Sequence, residues 1–493
     1  MKKPRNVDLK AIAGMAMEKY SFKPRFPEPV LQEVNALNDK ARSYQAKTTK
    51  DLSSLLWSSI DNIDSMDLDQ LEYCERGTGE EIRVMIAVAD VDIYVPKQSH
   101  ADQYAAHNGT SVYTGIVTYP MLPDHLSKNI SSLLPDQDRL AVVAEYTILP
   151  DGSIRPGEVF RALVRNKAKL VYEDLGEWLD GVGPIPPLVR DIPGLKEQIL
   201  LQADAARRLR KKRMELGALD LETIEAQPVL DGDRVRDLIV LKPNMARKVI
   251  EEFMVAANRT MVSRLGKAGI PMIQRVVRVP KYWDEIILTA ASFREKLPAS
   301  PDVKALALFL ERQKARDPER FPDLSLTIIK LLGPGEYMPL EPGTPPTGHF
   351  SMAVTDYTHG TAPNRRYVDV INQRLLKSVL DKMQNPYTLD ELVSHAIWLS
   401  DREKASKKVE RFTRKAAAAV LLEDRIGDVF EALVTGASEK GTYVRLVSPP
   451  AEGRVVKGER GMWVGQKVNV RLLKTDPYNG FIDFERTGGK TRK

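Results

Sequence analysis

The sequence predicts a multidomain α+β protein, and three observations lead to that class. At 493 residues the chain is too long for one ordinary domain; about 150 residues per domain gives about three. Through its centre, strand-like apolar runs interleave with apolar residues at helical spacing, as in a mixed α/β body. Toward the C-terminus five short strand-like runs follow one another, separated by Gly, Pro or Asn, which fits a small OB-type barrel. The expected units are a basic helical segment (1–50), an α/β body (51–400), a helical connector (401–426), the barrel (427–487) and a basic tail (488–493).

The first segment offers Ile12, Met15, Met17 and Tyr20 as one apolar face, and Val30, Val34 and Leu37 at helical spacing behind Pro29. Two readings stay open for it: a helix-turn-helix-like RNA contact, or plain packing. In the body, EEIRVMIAVADVDIYV (80–95) and RLAVVAEYTI, closing on the turn Pro150-Asp151-Gly152-Ser153, read as buried strands. Ile250, Phe253, Met254, Ala257, Met261 and Leu265 share a helix face, as do Ile371, Leu375 and Val379. EYMPLEPGTPPTGHF reads as a long loop from its Pro and Gly content.

Composition removes several function classes. One cysteine, Cys74, rules out a disulfide scaffold or a cysteine-based zinc site and suits a reducing cytoplasm, the expected location. No apolar run approaches the ~18 residues of a membrane span, and the six histidines form no HExxH pattern. The net charge of +6 is unevenly spread. Residues 1–50 hold 11 basic and 5 acidic side chains, residues 401–493 hold 20 and 13, and the body between holds 42 and 49. Two basic ends flank an acidic body, which suits modules that hold a polyanion around a carboxylate-rich centre.

Two segments carry chemistry. Residues 58–73 contain Asp61, Asp64, Asp67 and Asp69, followed by Gln70. On an extended segment Asp67 and Asp69 point the same way. Clustered carboxylates repel unless a cation neutralises them, and hard oxygen donors suit Mg²⁺ or Mn²⁺. A solvated acidic loop or a helix cap explains the same letters. An EF-hand loop does not, because Ile63 stands at a ligand position and Met66 replaces the turn glycine. The second segment, residues 357–374, sets Arg365 and Arg366 at the start of a helix. The helix dipole disfavours cations there, whereas paired guanidinium groups suit a phosphate; surface solubility is the competing reading. A third cluster, AARRLRKKR (205–213), either lines a nucleic-acid path or is the solvated face of a helix.

These motifs resemble the RNase II family of hydrolytic 3′→5′ exoribonucleases, the RNB-domain proteins. The family's acidic motif places an Asp after a Thr-Ile or Ser-Ile pair, then Asp six, eight and nine residues on. Here Ser59-Ile60-Asp61 is followed by Asp67, Asp69 and Gln70, and the arginine motif appears as TAPNRRY (361–367). AVADVDIYV (87–95), YPMLPDHLSKNISSL (119–133) and IEEFMVAAN (250–258) are similar to family blocks, and KAKLVYEDLGEWL (167–179) is similar above all to the RNase II branch. The C-terminal barrel, with GTYVRL and EGRV, is similar to an S1 domain.

The resemblance implies an RNB-type catalytic domain and Mg²⁺-dependent, processive hydrolysis from the 3′ end to 5′-nucleoside monophosphates. It implies Asp61, Asp67 and Asp69, with Gln70 or Asp64, at the metal. Asp69, Arg365 and Arg366 would be catalytic, the arginines on the scissile phosphate. Tyr113 and Tyr172 would stack on bases, Glu251 or Glu252 would meet a ribose hydroxyl, and Tyr443 of the barrel would contact RNA. The partner is single-stranded RNA with a free 3′ end and the expected state is a monomer.

Two departures stand out. Gln70 replaces an aspartate, so it offers a carbonyl oxygen without charge. Fifty leading residues with a helical pattern do not hold the family's two cold-shock barrels, so a more open entrance that admits structured RNA with 3′ overhangs is expected. The alternative function is a weak or inactive RNB-fold protein that binds RNA as a scaffold or regulator.

Overall fold

In the computed structural model, residues 7–39, 49–224, 226–232, 234–240, 242–438 and 441–487 are described. The expected basic tail lies outside them.

Helix α1 (Leu9–Lys19) is capped by Asp8, whose carboxylate accepts the Ala11 N–H; α2 (Glu28–Asn35) carries Pro29 in its first turn. α1 buries Leu9, Ile12, Ala13, Ala16 and Met17, while Met15 is exposed. The two helices dock on different parts of the body.

The body is built on β1 (Thr49–Asp51), β2 (Trp57–Asp61), β3 (Gln70–Arg76) and β4 (Ile82–Ala89). Then come α3 (His100–Asn108), the short pair β5 (Val112–Tyr113) and β6 (Thr118–Tyr119), and two long strands, β7 (Asp138–Ile148) and β8 (Ile154–Val171). Sheet order is β1-β8-β2-β3-β4-β7, and β7 pairs again with β8. β8 therefore serves β1 and β2 on one edge and β7 on the other, which brings the sheet round on itself. β2 runs parallel to β8, with Asp61 opposite Val171. β4 is almost wholly buried, as its continuous apolar run predicts.

Helices α4 (Tyr172–Leu179), α5 (Pro187–Asp191) and α6 (Leu195–Glu215) follow, then the hairpin β9 (Ala226–Asp231) and β10 (Arg234–Val240). The central helix α7 (Met245–Lys267) buries Ile250, Phe253, Ala257, Met261 and Leu265 against the sheet cluster. β11 (Met272–Val276) pairs with β12 (Glu336–Leu340). Hence the expected loop 336–350 begins as a strand, held because the Ser400 hydroxyl accepts the Tyr337 N–H. Between them α8 (Trp283–Ser292), α9 (Val303–Arg316) and α10 (Phe321–Leu332) enclose their own apolar cluster.

α11 (Tyr367–Asp381) opens at the arginine motif. α12 (Leu389–Leu421) is 33 residues long, starts in a capping box between Thr388 and Glu391, and crosses the expected boundary at 400. Alanines 416 and 417 of α12 receive Leu9 and Ile12 of α1. The barrel closes from β13 (Val429–Ser438), β14 (Gly441–Leu446), β15 (Glu452–Lys457), β16 (Lys467–Asp476) and β17 (Phe481–Thr487) in the order β13-β14-β15-β17-β16. Its core of Phe430, Val444, Val455, Val470 and Phe484 extends to Leu238 of β10 and to Ala418, Ala419 and Leu422 of α12. A buried ion pair, Arg445 to Asp323 at 2.9 Å, ties the barrel to α10.

Candidate active site

The parallel pairing of β2 and β8 delivers Asp61 and Tyr172 to the same end of the sheet, because each stands where its strand stops. The chain then loops from Asn62 to Asp69 before β3 begins at Gln70. Several bonds hold that loop. Lys169 Nζ donates to the carbonyls of Ile63 at 2.9 Å and Ser65 at 2.6 Å. The Ser132 hydroxyl accepts the Leu68 N–H at 2.9 Å and donates to the Met66 carbonyl at 2.7 Å. Lys169 thus places a cation beneath the acidic loop as well as a clamp on its backbone, a role its position in the chain does not announce.

Asp69 is 2 % exposed. One carboxylate oxygen accepts the Asn364 N–H at 2.8 Å and the other accepts Arg365 Nε–H at 3.1 Å. The acidic and arginine motifs, 296 positions apart, therefore meet at one side chain. The Asn364 side-chain oxygen is pinned by the Ser131 hydroxyl at 2.6 Å, and the Arg365 carbonyl accepts the Ser111 N–H. Asp67 accepts the Tyr113 hydroxyl at 2.9 Å.

Asp61, Asp64, Asp67, Asp69, Gln70, Tyr113, Tyr172 and Arg365 all line one cavity of about 870 Å³. Its far walls come from β9 (Gln227, Pro228, Leu230), α7 (Arg247, Ile250, Met254) and α12 (Glu410, Arg414). At the β5–β6 turn, Gly115 has φ +78° and a Cβ there would stand 2.9 Å from Pro228, so glycine lets the turn close against the hairpin. Tyr172 has the Arg247 guanidinium 4.4 Å from its ring centroid, a cation–π contact. Asn244 caps α7 through the Arg247 N–H and donates to the Tyr172 carbonyl at 2.8 Å.

The electrostatics of the acidic end are unbalanced. Burial, then the Asp69 charge, pushes the Asp61 carboxyl up to about 7. Burial, reinforced by Asp67, pushes Asp69 up to about 7 as well, even with Arg365 beside it. One Asp61 oxygen is buried without a hydrogen-bond partner. Behind it Glu72 is fully buried, and burial raises its carboxyl well above the usual range. A hard divalent cation would relieve this repulsion, and the donor set is wholly oxygen, so the residues fit Mg²⁺ or Mn²⁺ on their chemistry. Among the described residues no three His, Cys, Asp or Glu side chains enclose a common point: Asp69 is turned to Arg365 and Asn364, and Asp67 to Tyr113.

Other expected residues stand elsewhere. Arg366 turns to Asp369 at 2.8 Å and is not part of the cavity lining. Glu251 and Glu252 both pair with Arg213, at 2.7 and 2.6 Å, and Glu252 is 1 % exposed. Tyr443 is exposed on the barrel, opposite Arg454. The cluster 205–213 lies on α6 and is largely committed: Arg208 to Asp204, Arg210 to Asp220, Lys212 to Asp151 and Arg213 to the two glutamates. The cluster does lie on a helix face, but these four cations are drawn into ion pairs and half-buried rather than solvated.

Comparison with known proteins adds to this geometry. Residues 49–382 match the RNB domain. The chain belongs to the RNase II family of RNB-domain ribonucleases. In this RNB protein residues 428–487 also match the RNase II-type exonuclease C-terminal S1 domain. It is 29 % identical to ribonuclease R of Thermotoga maritima over 93 % of this chain and 68 % of that one. It is 28 % identical to ribonuclease R of Escherichia coli over 85 % of this chain and 52 % of that one. The fold is similar to Mycoplasma genitalium RNase R in complex with ribose-methylated single-stranded RNA, with a TM-score of 0.88 and 23 % identity over 98 % of this chain and 78 % of that one. Yeast Ssd1, a pseudonuclease, shares the fold at a TM-score of 0.68 and 16 % identity, over 94 % of this chain and 58 % of that one. Among the described residues no helix is long and apolar enough to cross a membrane.

Proposed function

We propose that this protein is a Mg²⁺-dependent 3′→5′ exoribonuclease that removes nucleotides one at a time and processively by hydrolysis. The observation that carries the reading is the junction at Asp69, where a buried carboxylate, the Asn364 N–H and Arg365 Nε meet in the cavity that also holds Asp61, Asp67, Tyr113 and Tyr172.

A water oxygen attacks the last phosphorus, the P–O3′ bond breaks, the leaving 3′ oxygen takes up a proton, and a 5′-nucleoside monophosphate departs. Mg²⁺ held by Asp61, Asp67 and Asp69, with Gln70 or Asp64 contributing an oxygen, would lower the pKa of the attacking water and offset charge on the phosphate. Arg365 offers its remaining guanidinium donors to the phosphate oxygens, where charge grows as the bond breaks. Arg366 would also serve the phosphate, once released from Asp369. Tyr113 and Tyr172 hold bases by stacking, which accepts every base because each has a π-face. The ion pairs of Glu251 and Glu252 with Arg213 give a ribose-reading glutamate a competing partner.

A second reading rests on Gln70, buried at 6 % exposure where the family pattern has a charge: an RNA-binding scaffold of the same fold. One assay separates them. With 5′-labelled oligo(A) and Mg²⁺, the wild type shortens the strand and Asp69→Asn binds but loses at least about 10²-fold in rate, the scale of removing one charge-stabilising group. Binding without shortening by the wild type would leave the scaffold. Equal shortening by both proteins would move the site elsewhere. A 3′-tailed duplex in the same assay, digested into the paired region, supports entry of structured RNA.

A further inference from the structure

Outside the cavity, one helix face is rich in basic side chains. α12 carries Lys404, Lys407, Lys408, Arg411, Arg414 and Lys415. At 3.6 residues per turn these six lie within an arc of about 120° and along about 16 Å of axis. Lys404, Lys407, Lys408 and Arg411 are exposed. Arg414, at one edge of the arc, lines the cavity together with Glu410.

Acidic neighbours answer part of this charge, Asp401 against Lys404 at 3.5 Å and Glu403 against Lys407 at 2.8 Å. Aromatic rings stand along the face. Lys408 Nζ stands 5.8 Å from the Tyr20 ring and Lys19 of α1 stands 5.8 Å from Phe412. At the C-terminal end of the stripe the β16–β17 turn comes against Lys415 and Phe412 at Gly480, with Tyr478 of that turn exposed. Like charges three and four residues apart destabilise a helix by a few tenths of a kcal/mol per pair. A stripe of them is a standing cost that a polyanion offsets.

We propose that this face of α12, with Lys19 and Tyr20 beside it, is a phosphate track for single-stranded RNA. It holds the backbone upstream of the nucleotides in the cavity and hands it to the cavity wall at Arg414. A membrane surface is disfavoured by the continuity of the stripe with the cavity. The proposal rests on the RNA reading above and extends it to a second surface.

The test uses the full chain and oligo(A) of 4 to 20 nucleotides, with EDTA present so that binding is read without turnover. Lys408→Ala/Arg411→Ala places good helix formers at exposed helix positions, and a melting curve matching wild type shows that the fold is kept. The expected result is a loss of about tenfold in affinity for the 20-mer that shrinks toward the shortest strands. The salt slope falls by about 1.4, at −0.7 per phosphate neutralised on single strands; Lys408→Glu/Arg411→Glu enlarges both effects. A loss equal at every length, or no loss, overturns the track. Wild type that binds with this length dependence but does not shorten RNA in Mg²⁺ leaves the track standing and removes the exonuclease.

Discussion

Two groups of charge, one around Arg374 on α11 and one at the arginine motif just before that helix, are finished differently. Arg374 is 5 % exposed and its guanidinium is fully engaged: Nε on Asp92 at 2.8 Å, Nη1 on the Tyr387 hydroxyl at 2.6 Å, Nη2 on the Val95 carbonyl at 2.6 Å and on Asp102 at 2.7 Å. At the cavity, Arg365 holds Asp69 through Nε and keeps 43 % of its side chain exposed, while Asp61 has a buried oxygen without a partner. A satisfied network fixes the fold. An unsatisfied one is held in readiness for charge that arrives with a ligand, because the low-dielectric surroundings make the missing partner costly.

This contrast is sharpest when the two arginines are compared directly. Arg374→Ala takes the cation from Asp102 and leaves Asp92 to Lys377 alone, and should lose about 3–5 kcal/mol of stability in urea unfolding, the usual cost of breaking a buried pair. Arg365→Ala leaves the buried Asp69 with the Asn364 N–H and should lose less, about 1–3 kcal/mol, while the rate of RNA shortening drops by about 10²–10³-fold. Equal destabilisation by the two would erase the distinction.

A smaller effect tests how the cavity wall is positioned. A Cβ on Gly176 of α4 would fall 2.3 Å from the Asn244 side chain, the group that caps α7 and holds the Tyr172 carbonyl. Gly176→Ala should lose about 1–3 kcal/mol, as overpacking does, and weaken RNA binding through Tyr172. Full affinity in the substituted protein would show that Tyr172 is positioned otherwise.

The smallest effect is pH dependence. His349 is held down to about 4 by burial and then by Arg275, and burial holds His359 well below its usual range. Both rings bind a proton less readily in the fold than in the unfolded chain. Their contribution to stability is whole above pH 6.5 and is lost as pH falls toward 4. Burial of Asp61, Asp69 and Glu72 acts in the opposite sense over that window, so the histidine contribution is read as a difference. The melting temperature of the wild type should fall relative to that of His349→Gln as pH drops from 6.5 toward 4, and an unchanged difference would remove His349 from the pH dependence.

Much of the site was legible because its signals are local. Ser59-Ile60-Asp61 with Asp67, Asp69 and Gln70, and TAPNRRY before a helix, each carry their chemistry within twelve residues. Tyr113 and Tyr172 came only through family resemblance, and the cavity brings both to the acids. What stayed hidden is non-local. Lys169, the Asn364 N–H and the Pro228 wall act across folds of the chain. Met15 looked like core because its spacing fits, yet the packing partner of α1 covers only the neighbouring positions.

By itself the sequence determined the alternation of strands and helices, the five-stranded C-terminal barrel and the two charged motifs, since hydrophobic period and turn residues are properties of short windows. Only the tertiary structure decided that Arg365 meets Asp69 while Arg366 turns to Asp369, that Glu251 and Glu252 go to Arg213, and that six cations of one long helix form a stripe ending at the cavity. Each of those depends on which surfaces are brought together in the fold, and a buried charge takes whichever partner the packing places within reach.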